Sequence, residues 1–237
     1  MKTDKGVVRT VNQDCCFITT LANDACFAVV CDGMGGPKAG DVASRIAIKN
    51  ISERFIAGWR SKISVESVKN LLATSISAAN ICVYDTAQAS EEYNGMGTTV
   101  VAAVLFDDIL VVSHVGDSRA YLISRDMKLL TKDHSLVQEL VDAGQLSDSD
   151  AVNYPYKNVI TRAIGISEHV DIDFTEHKIG SEDKVLLCSD GLTNFICESD
   201  LFRIISENDI EIVSDMLINT ANKNGGGDNI TAVVFSK

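Results

Sequence analysis

Short apolar runs rich in β-branched residues recur along the chain: Cys26 to Cys31, Thr98 to Phe106, Ile109 to Val115, Ala120 to Ser124, Val185 to Cys188 and Ile230 to Phe235. Each is of strand length and is bounded by Gly, Asp or Ser, so each predicts a β-strand. Phe106-Asp107-Asp108-Ile109 predicts a hairpin turn, because aspartates favour turn geometry and both flanks are apolar. Between the first strand and the Thr98 run the period changes. Val42, Ile46, Ile51 and Phe55 recur at near-helical spacing. Val68, Leu71, Leu72, Ile76, Ala79 and Val83 form one stripe of a second helix, over about 65–87. Two successive helices followed by successive strands do not make a βαβ repeat. The pattern therefore predicts an α+β layered fold with antiparallel sheets. Ser135 to Ala143 predicts a short helix stopped by Gly144, and Glu211 to Asn222 a final helix ended by Asn224 and three glycines. Residues 145–158 are polar and aperiodic, and predict a mobile surface loop. No repeat or linker divides the chain, so a single domain over 1–237 is expected.

Composition narrows the function. A net charge of -12 over 237 residues argues against a nucleic-acid partner and against an anionic membrane surface. The seven cysteines are odd in number and form no C-x-x-C pair, so neither a disulfide framework nor a zinc ribbon is expected. Several lie inside apolar runs, which points to a reducing compartment. The opening residues MKTDKGVVRTVNQD carry no apolar stretch, and no run is long enough to span a bilayer. A cytoplasmic location is expected.

The stretch VVCDGMGGPKAGD, Val29 to Asp41, packs four glycines into eight residues after an apolar run. Gly35 to Gly40 has the glycine spacing of a phosphate-binding loop, but Asp41-Val42 stands where Lys-Ser/Thr is needed. The glycines instead permit a tight corner and a close approach to the main chain. Asp32-Gly33 has counterparts elsewhere: Asp190-Gly191 after the Val185 run, Asp117 in a Gly-Asp corner between two strands, and Asp228 just before the last strand. One Asp-Gly reads as a turn. Four aspartates at strand ends predict a shared oxygen-ligand site for a hard cation, manganese or magnesium, if the sheets bring them together.

Seven motifs in order, Arg9-x-x-Asn12-Gln13-Asp14, Asp32-Gly33-Met34-Gly35-Gly36, Gly97-Thr98-Thr99, Gly116-Asp117-Ser118-Arg119, Asp133-His134-Ser135, Ser189-Asp190-Gly191 and Asp228-Asn229-Ile230-Thr231, resemble those of the metal-dependent protein phosphatases of type 2C (PPM) in their bacterial form. The resemblance spans Arg9 to Thr231. It implies a four-layer α-β-β-α sandwich, with two central antiparallel sheets flanked by helices and metals in a cleft at one end. It implies that Asp32 bridges two metals, that Asp190 and Asp228 complete the first site, and that the Gly33 carbonyl serves the second. Asp14 would anchor water from behind, Asp117 and Asp190 would hold a third and weaker metal, and Arg9 would pair with the substrate phosphate. Arg9, Asp32 and Asp190 are thus the expected catalytic residues, with two to three Mn²⁺ or Mg²⁺ ions as cofactors.

The implied reaction is hydrolysis of phosphoserine and phosphothreonine in proteins, by direct attack of a metal-bridging hydroxide. Arg9 offers a planar fork suited to phosphate oxygens. The partners implied are phosphorylated proteins, those of a bacterial Ser/Thr kinase. The alternatives are a phosphatase of an anti-sigma-antagonist regulator and a non-catalytic sensor domain of the same fold. Met34 stands where the eukaryotic branch has a histidine, and Gln13 where it has a ligand glutamate, so the second metal should be more hydrated. Residues 145–158 fall where the family carries a flap, in which Tyr154 and Tyr156 either contact substrate or pack the flap down. His134 falls near the flap base, where the bland role is a structural hydrogen bond. Ser118 and Ser189 lack a triad-like motif. Arg119 and Arg162 are expected to be structural.

Overall fold

The structure, a computed structural model, describes residues 1–36, 39–151 and 154–237. Its first sheet runs in the order β2 (Asp14–Thr20), β3 (Cys26–Met34), β5 (Val100–Phe106), β6 (Ile109–Val115) and β9 (Asp173–Lys178), with the two-residue β4 (Gly97–Thr98) also paired to β3. The second runs β1 (Lys2–Asp4), β11 (Ile230–Ser236), β10 (Lys184–Cys188), β7 (Arg119–Ile123) and β8 (Met127–Leu129). All strand pairs are antiparallel.

The strands read as continuous apolar runs because both of their faces are covered. Along β5, Val100, Ala102 and Val104 face a core shared with the helices, whereas Val101, Ala103 and Leu105 face the other sheet. The helix side of this sheet is capped by α1 (Ala39–Gly58) and α2 (Val65–Ala89), through Ile51, Phe55, Leu72 and Ile76. On the far side of the second sheet lie α6 (Glu198–Glu207) and α7 (Ile210–Lys223), which bury Leu201, Ile205, Val213 and Leu217 against Tyr121, Leu186 and Ala232. Three cores thus separate four layers, α-β-β-α, as the resemblance implies.

The predicted hairpin is present: Phe106 pairs with Ile109, and Asp107 takes a left-handed φ of 50°. Ser135 caps α3 (Leu136–Asp142) by accepting from the Gln138 N–H, and Gly144 follows it at φ 67°. Two expectations are corrected. The Thr98 run breaks at Thr99, so that its start pairs as β4 with Gly33 and Met34 instead of continuing β5. The 145–158 segment is not all loop, since α4 (Asp148–Ala151) lies within it. Residues 152–153 of the expected flap are outside the described residues.

Candidate metal centre

Each candidate aspartate lies at or beside the end of a strand. Asp32 lies near the end of β3, directly across from Asp14 at the start of β2. Thr98 and Thr99 grip its main chain: the Asp32 N–H donates to Thr99 Oγ1 (3.0 Å), and the Asp32 carbonyl accepts from the Thr99 N–H (2.8 Å) and from Thr98 Oγ1 (2.9 Å). Asp117 occupies the corner where the chain crosses from β6 in one sheet to β7 in the other. Asp190 begins the one-turn α5 (Asp190–Thr193) directly after β10 and Ser189, and Asp228 precedes β11. Both sheets therefore contribute to one place, the end at which they meet.

Three of the four glycines of Val29 to Asp41, Gly33, Gly35 and Gly40, are explained by the same packing. A Cβ on Gly33 would lie 2.0 Å from the Gly40 carbonyl oxygen, so the first turn of α1 sits directly on the end of β3. Gly35 has φ 112°, which turns the chain out of the strand and towards that helix. Gln13 bridges the same corner, donating through Nε2 to the Gly36 carbonyl at 3.2 Å.

Asp32, Asp117, Asp190 and Asp228 line one cleft of about 320 Å³, together with Arg9 and Gln13. A neighbouring cleft of about 290 Å³ shares Asp117 and Asp190 and extends towards Arg119, Asp133 and Lys157. Asp14 is buried behind the first cleft. Its Oδ2 accepts from Ser189 Oγ and Thr231 Oγ1, both at 2.7 Å, and its Oδ1 has no hydrogen-bond partner. Burial pushes the Asp14 carboxyl up to about 6, against those two hydrogen bonds. Asp32 is raised well above the usual carboxylate range, first by enclosure and then by the charges of Asp14, Asp190, Asp117 and Asp228. Asp117 is pushed up to about 7 by burial and by the Asp190 and Asp133 charges. Asp190 is raised by burial and by Asp228, and its Oδ2 accepts from Asn194 Nδ2 at 3.0 Å.

A group of crowded carboxylates with an orphaned buried oxygen is a poor arrangement for protein alone and a good one for hard cations, which all-oxygen donors suit. The residues present therefore fit a divalent metal. They do not form one tight cage: among the described residues, no three of these carboxylates offer oxygens all within 4.8 Å of one another. Asp32 is the central member, its carboxyl feeling the charges of Asp14, Asp190, Asp117 and Asp228.

Arg9 reaches the cleft rim and donates through Nη2 to Asp228 Oδ2 at 2.9 Å. Asn229 holds the loop that carries it, accepting from the Gln13 N–H (2.8 Å) and donating to the Lys5 and Val11 carbonyls (3.0 and 2.9 Å). The serines are engaged elsewhere. Ser118 Oγ lies 2.7 Å from Thr99 Oγ1, and Ser189 Oγ accepts from the Thr231 N–H as it donates to Asp14. Arg119 forks onto Asp133, and Arg162 pairs with Asp173 at 2.8 Å. Tyr154 and Tyr156 pack edge to face at 6.0 Å between ring centroids, with Tyr156 exposed. Met34 also lines the cleft, a side chain with no proton to donate. The supporting roles of Asn229, Thr98 and Thr99 were not read from the sequence. Their only signal was membership of the quoted motifs.

The sequence model of the family described as Protein phosphatase 2C matches residues 6–223. The chain belongs to that family. A serine/threonine phosphatase stp of Listeria innocua is 37% identical over 241 residues, covering 100% of this chain and 94% of its own. A serine/threonine phosphatase structure from S. agalactiae superposes with TM-score 0.92 at 35% identity, covering 100% of this chain and 98% of its own. The catalytic domain of the serine threonine protein phosphatase PstP, solved in complex with two manganese ions, superposes with TM-score 0.86 at 29% identity and covers 98% of this chain and 94% of its own. Among the described residues, no helix of this phosphatase-family chain is long and apolar enough to cross a membrane.

Proposed function

We propose that the chain is a metal-dependent protein serine/threonine phosphatase, one domain over 1–237, acting on the phosphoproteins of a Ser/Thr kinase. The observation that carries this is the meeting of four aspartates from both sheets in one cleft, with Arg9 on its rim. Two to three Mn²⁺ or Mg²⁺ ions would be held by Asp32, Asp190, Asp228 and the Gly33 carbonyl, with Asp117 on the Asp190 side and Asp14 behind. Such ions supply a hydroxide nucleophile at neutral pH and offset the charge of the phosphoryl group.

The protein's own groups do the rest. Arg9 spends one donor on Asp228 and has four more N–H groups for phosphate oxygens. Asp14, behind the cleft, would offer its unpartnered Oδ1 to an O–H group from the cleft side. Thr98 and Thr99 keep Asp32 from turning away. Seven free cysteines support a reducing, cytoplasmic setting.

The test is hydrolysis of a phosphothreonine peptide with Mn²⁺, Mg²⁺ or EDTA. Turnover should require a divalent ion, and folded Asp190→Asn should lose on the order of 10²-fold or more in kcat. Activity that survives EDTA would refute the metal. Turnover of p-nitrophenyl phosphate but never of phosphopeptides would refute the substrate class.

A further inference from the structure

Beside the cleft, on the other face of the Gly116 corner, His114 and His134 are stacked with ring centroids 4.6 Å apart and planes 17° from parallel. Both are buried, at 2% and 7% exposure. With Asp173 they form a group whose donor atoms all lie within 4.8 Å, the spacing of a candidate metal site. The hydrogen bonds argue against an ion there. His134 Nδ1 accepts from the Gly116 N–H at 3.0 Å, so the ring proton is on Nε2, which faces Asp173 Oδ2 at 3.3 Å. An ion on Nε2 would require the ring to lose that proton as well, or the Gly116 bond to break. His114 Nε2 lies 2.8 Å from the Lys132 carbonyl and 3.3 Å from the Lys132 N–H, so that backbone segment occupies it. Burial lowers the pKa of both rings, which keeps them neutral.

The neutral pair has a different consequence. His134 holds both polar groups of Gly116: its own N–H donates to the Gly116 carbonyl (3.0 Å), and its Nδ1 accepts the Gly116 N–H (3.0 Å). Gly116 takes φ 106°, and a Cβ there would lie 2.6 Å from Thr99 Cγ2, so the corner has no room to settle elsewhere. Asp117 is the next residue. On its far side, Ser118 is tied to Thr99, which accepts the Asp32 N–H. His134 also accepts at its carbonyl from the Thr161 N–H (2.9 Å), just beyond the expected flap. The Gly116 N–H sets the tautomer, and Asp173, held by Arg162, lies 3.3 Å from Nε2 without a hydrogen bond to it. We propose that His134 is a positioning residue for Asp117: as the Nε2–H tautomer, it clamps Gly116 through Nδ1 and thereby sets how tightly Asp117 and Asp190 hold their cation. This rests on the reading of Asp117 as a metal ligand.

The experiment is a double-mutant cycle on the full chain. His134→Phe keeps a flat ring and loses the acceptor, whereas His134→Asn places Oδ1 near the Nδ1 position and keeps it. Both are combined with Asp117→Asn. In the metal-free protein, imidazole ¹⁵N shifts should report Nε2–H, and the Gly116 amide should exchange slowly in wild type and His134→Asn but fast in His134→Phe. Mn²⁺ binding, followed by EPR of free Mn²⁺, should weaken on the order of 10-fold at the weakest site in His134→Phe and stay near wild type in His134→Asn. The double variant His134→Phe/Asp117→Asn should bind no worse than Asp117→Asn alone. Additive losses, wild-type Mn²⁺ affinity in His134→Phe, or an Nδ1–H tautomer would each overturn the proposal. Should His134→Phe not fold, His134→Gln, whose longer side chain misplaces the acceptor, must weaken Mn²⁺ binding for the proposal to stand. Loss of an ion in Asp117→Asn with no effect of His134 refutes the clamp alone. Unchanged Mn²⁺ stoichiometry in Asp117→Asn refutes the ligand reading beneath it.

Discussion

Replacing Asp14 by Asn separates what the buried carboxylate costs from what it does. The structure pushes its carboxyl from 3.8 up to about 6. At 1.36 kcal/mol per pH unit, that displacement is a penalty of roughly 3 kcal/mol on the folded, charged form. The sign follows directly. With a folded pKa above the unfolded one, metal-free wild type has its full stability below about pH 4 and loses it as pH rises through about 6. The Asn variant keeps the carbonyl that accepts from Ser189 and Thr231.

In EDTA at pH 7.5, Asp14→Asn should therefore be more stable than wild type, by up to about 3 kcal/mol, or about 6–12 °C in Tm for a chain of this size. The gap should close as pH falls towards 4. With saturating Mn²⁺ the variant should lose its advantage and most of its turnover. Thermal unfolding followed by circular dichroism from pH 4 to 8, with and without metal, measures all of this. A variant less stable than wild type in EDTA at pH 7.5, or a gap that ignores pH, would refute the reading of Asp14 as a strained buried charge.

Two further outcomes follow from single contacts. Arg9→Ala removes an exposed ion pair, so Tm should hardly move, with a cost of about 0–1 kcal/mol. Its KM for a phosphopeptide should rise about tenfold or more, which steady-state kinetics at saturating Mn²⁺ would register. Gly33→Ala drives a methyl group against the Gly40 carbonyl at 2.0 Å, and should cost at least about 1–3 kcal/mol by chemical denaturation, with metal affinity falling alongside.

The central strands were legible because burial on both faces writes an unbroken apolar run, and α1 and α2 because each carries one long stripe. The edges were not. β2, DCCFITT, and β9, DFTEHK, border the first sheet, are only partly buried, and lack a run of the kind that marks β5. α6 was missed although Leu201, Ile204 and Ile205 follow helical spacing, because its ten residues give the pattern little length. In the site, each aspartate announced itself by following an apolar run or preceding one. Their meeting could not be read from spacing, since it depends on how two sheets stack. Nor could the holding of Asp14, whose hydroxyl partners lie 175 and 217 residues further along the chain.

That last separation bears on synthesis. The final strand brings both Thr231 and the Asp228 corner, and it inserts between β10 and the first strand of the chain. A ribosome-bound chain that has emerged only as far as α7 lacks both the Asp228 corner and the hydroxyl that secures Asp14. The cleft is consequently incomplete until β11 has left the exit tunnel, and such sequence-distant closure folds slowly compared with local helix pairing.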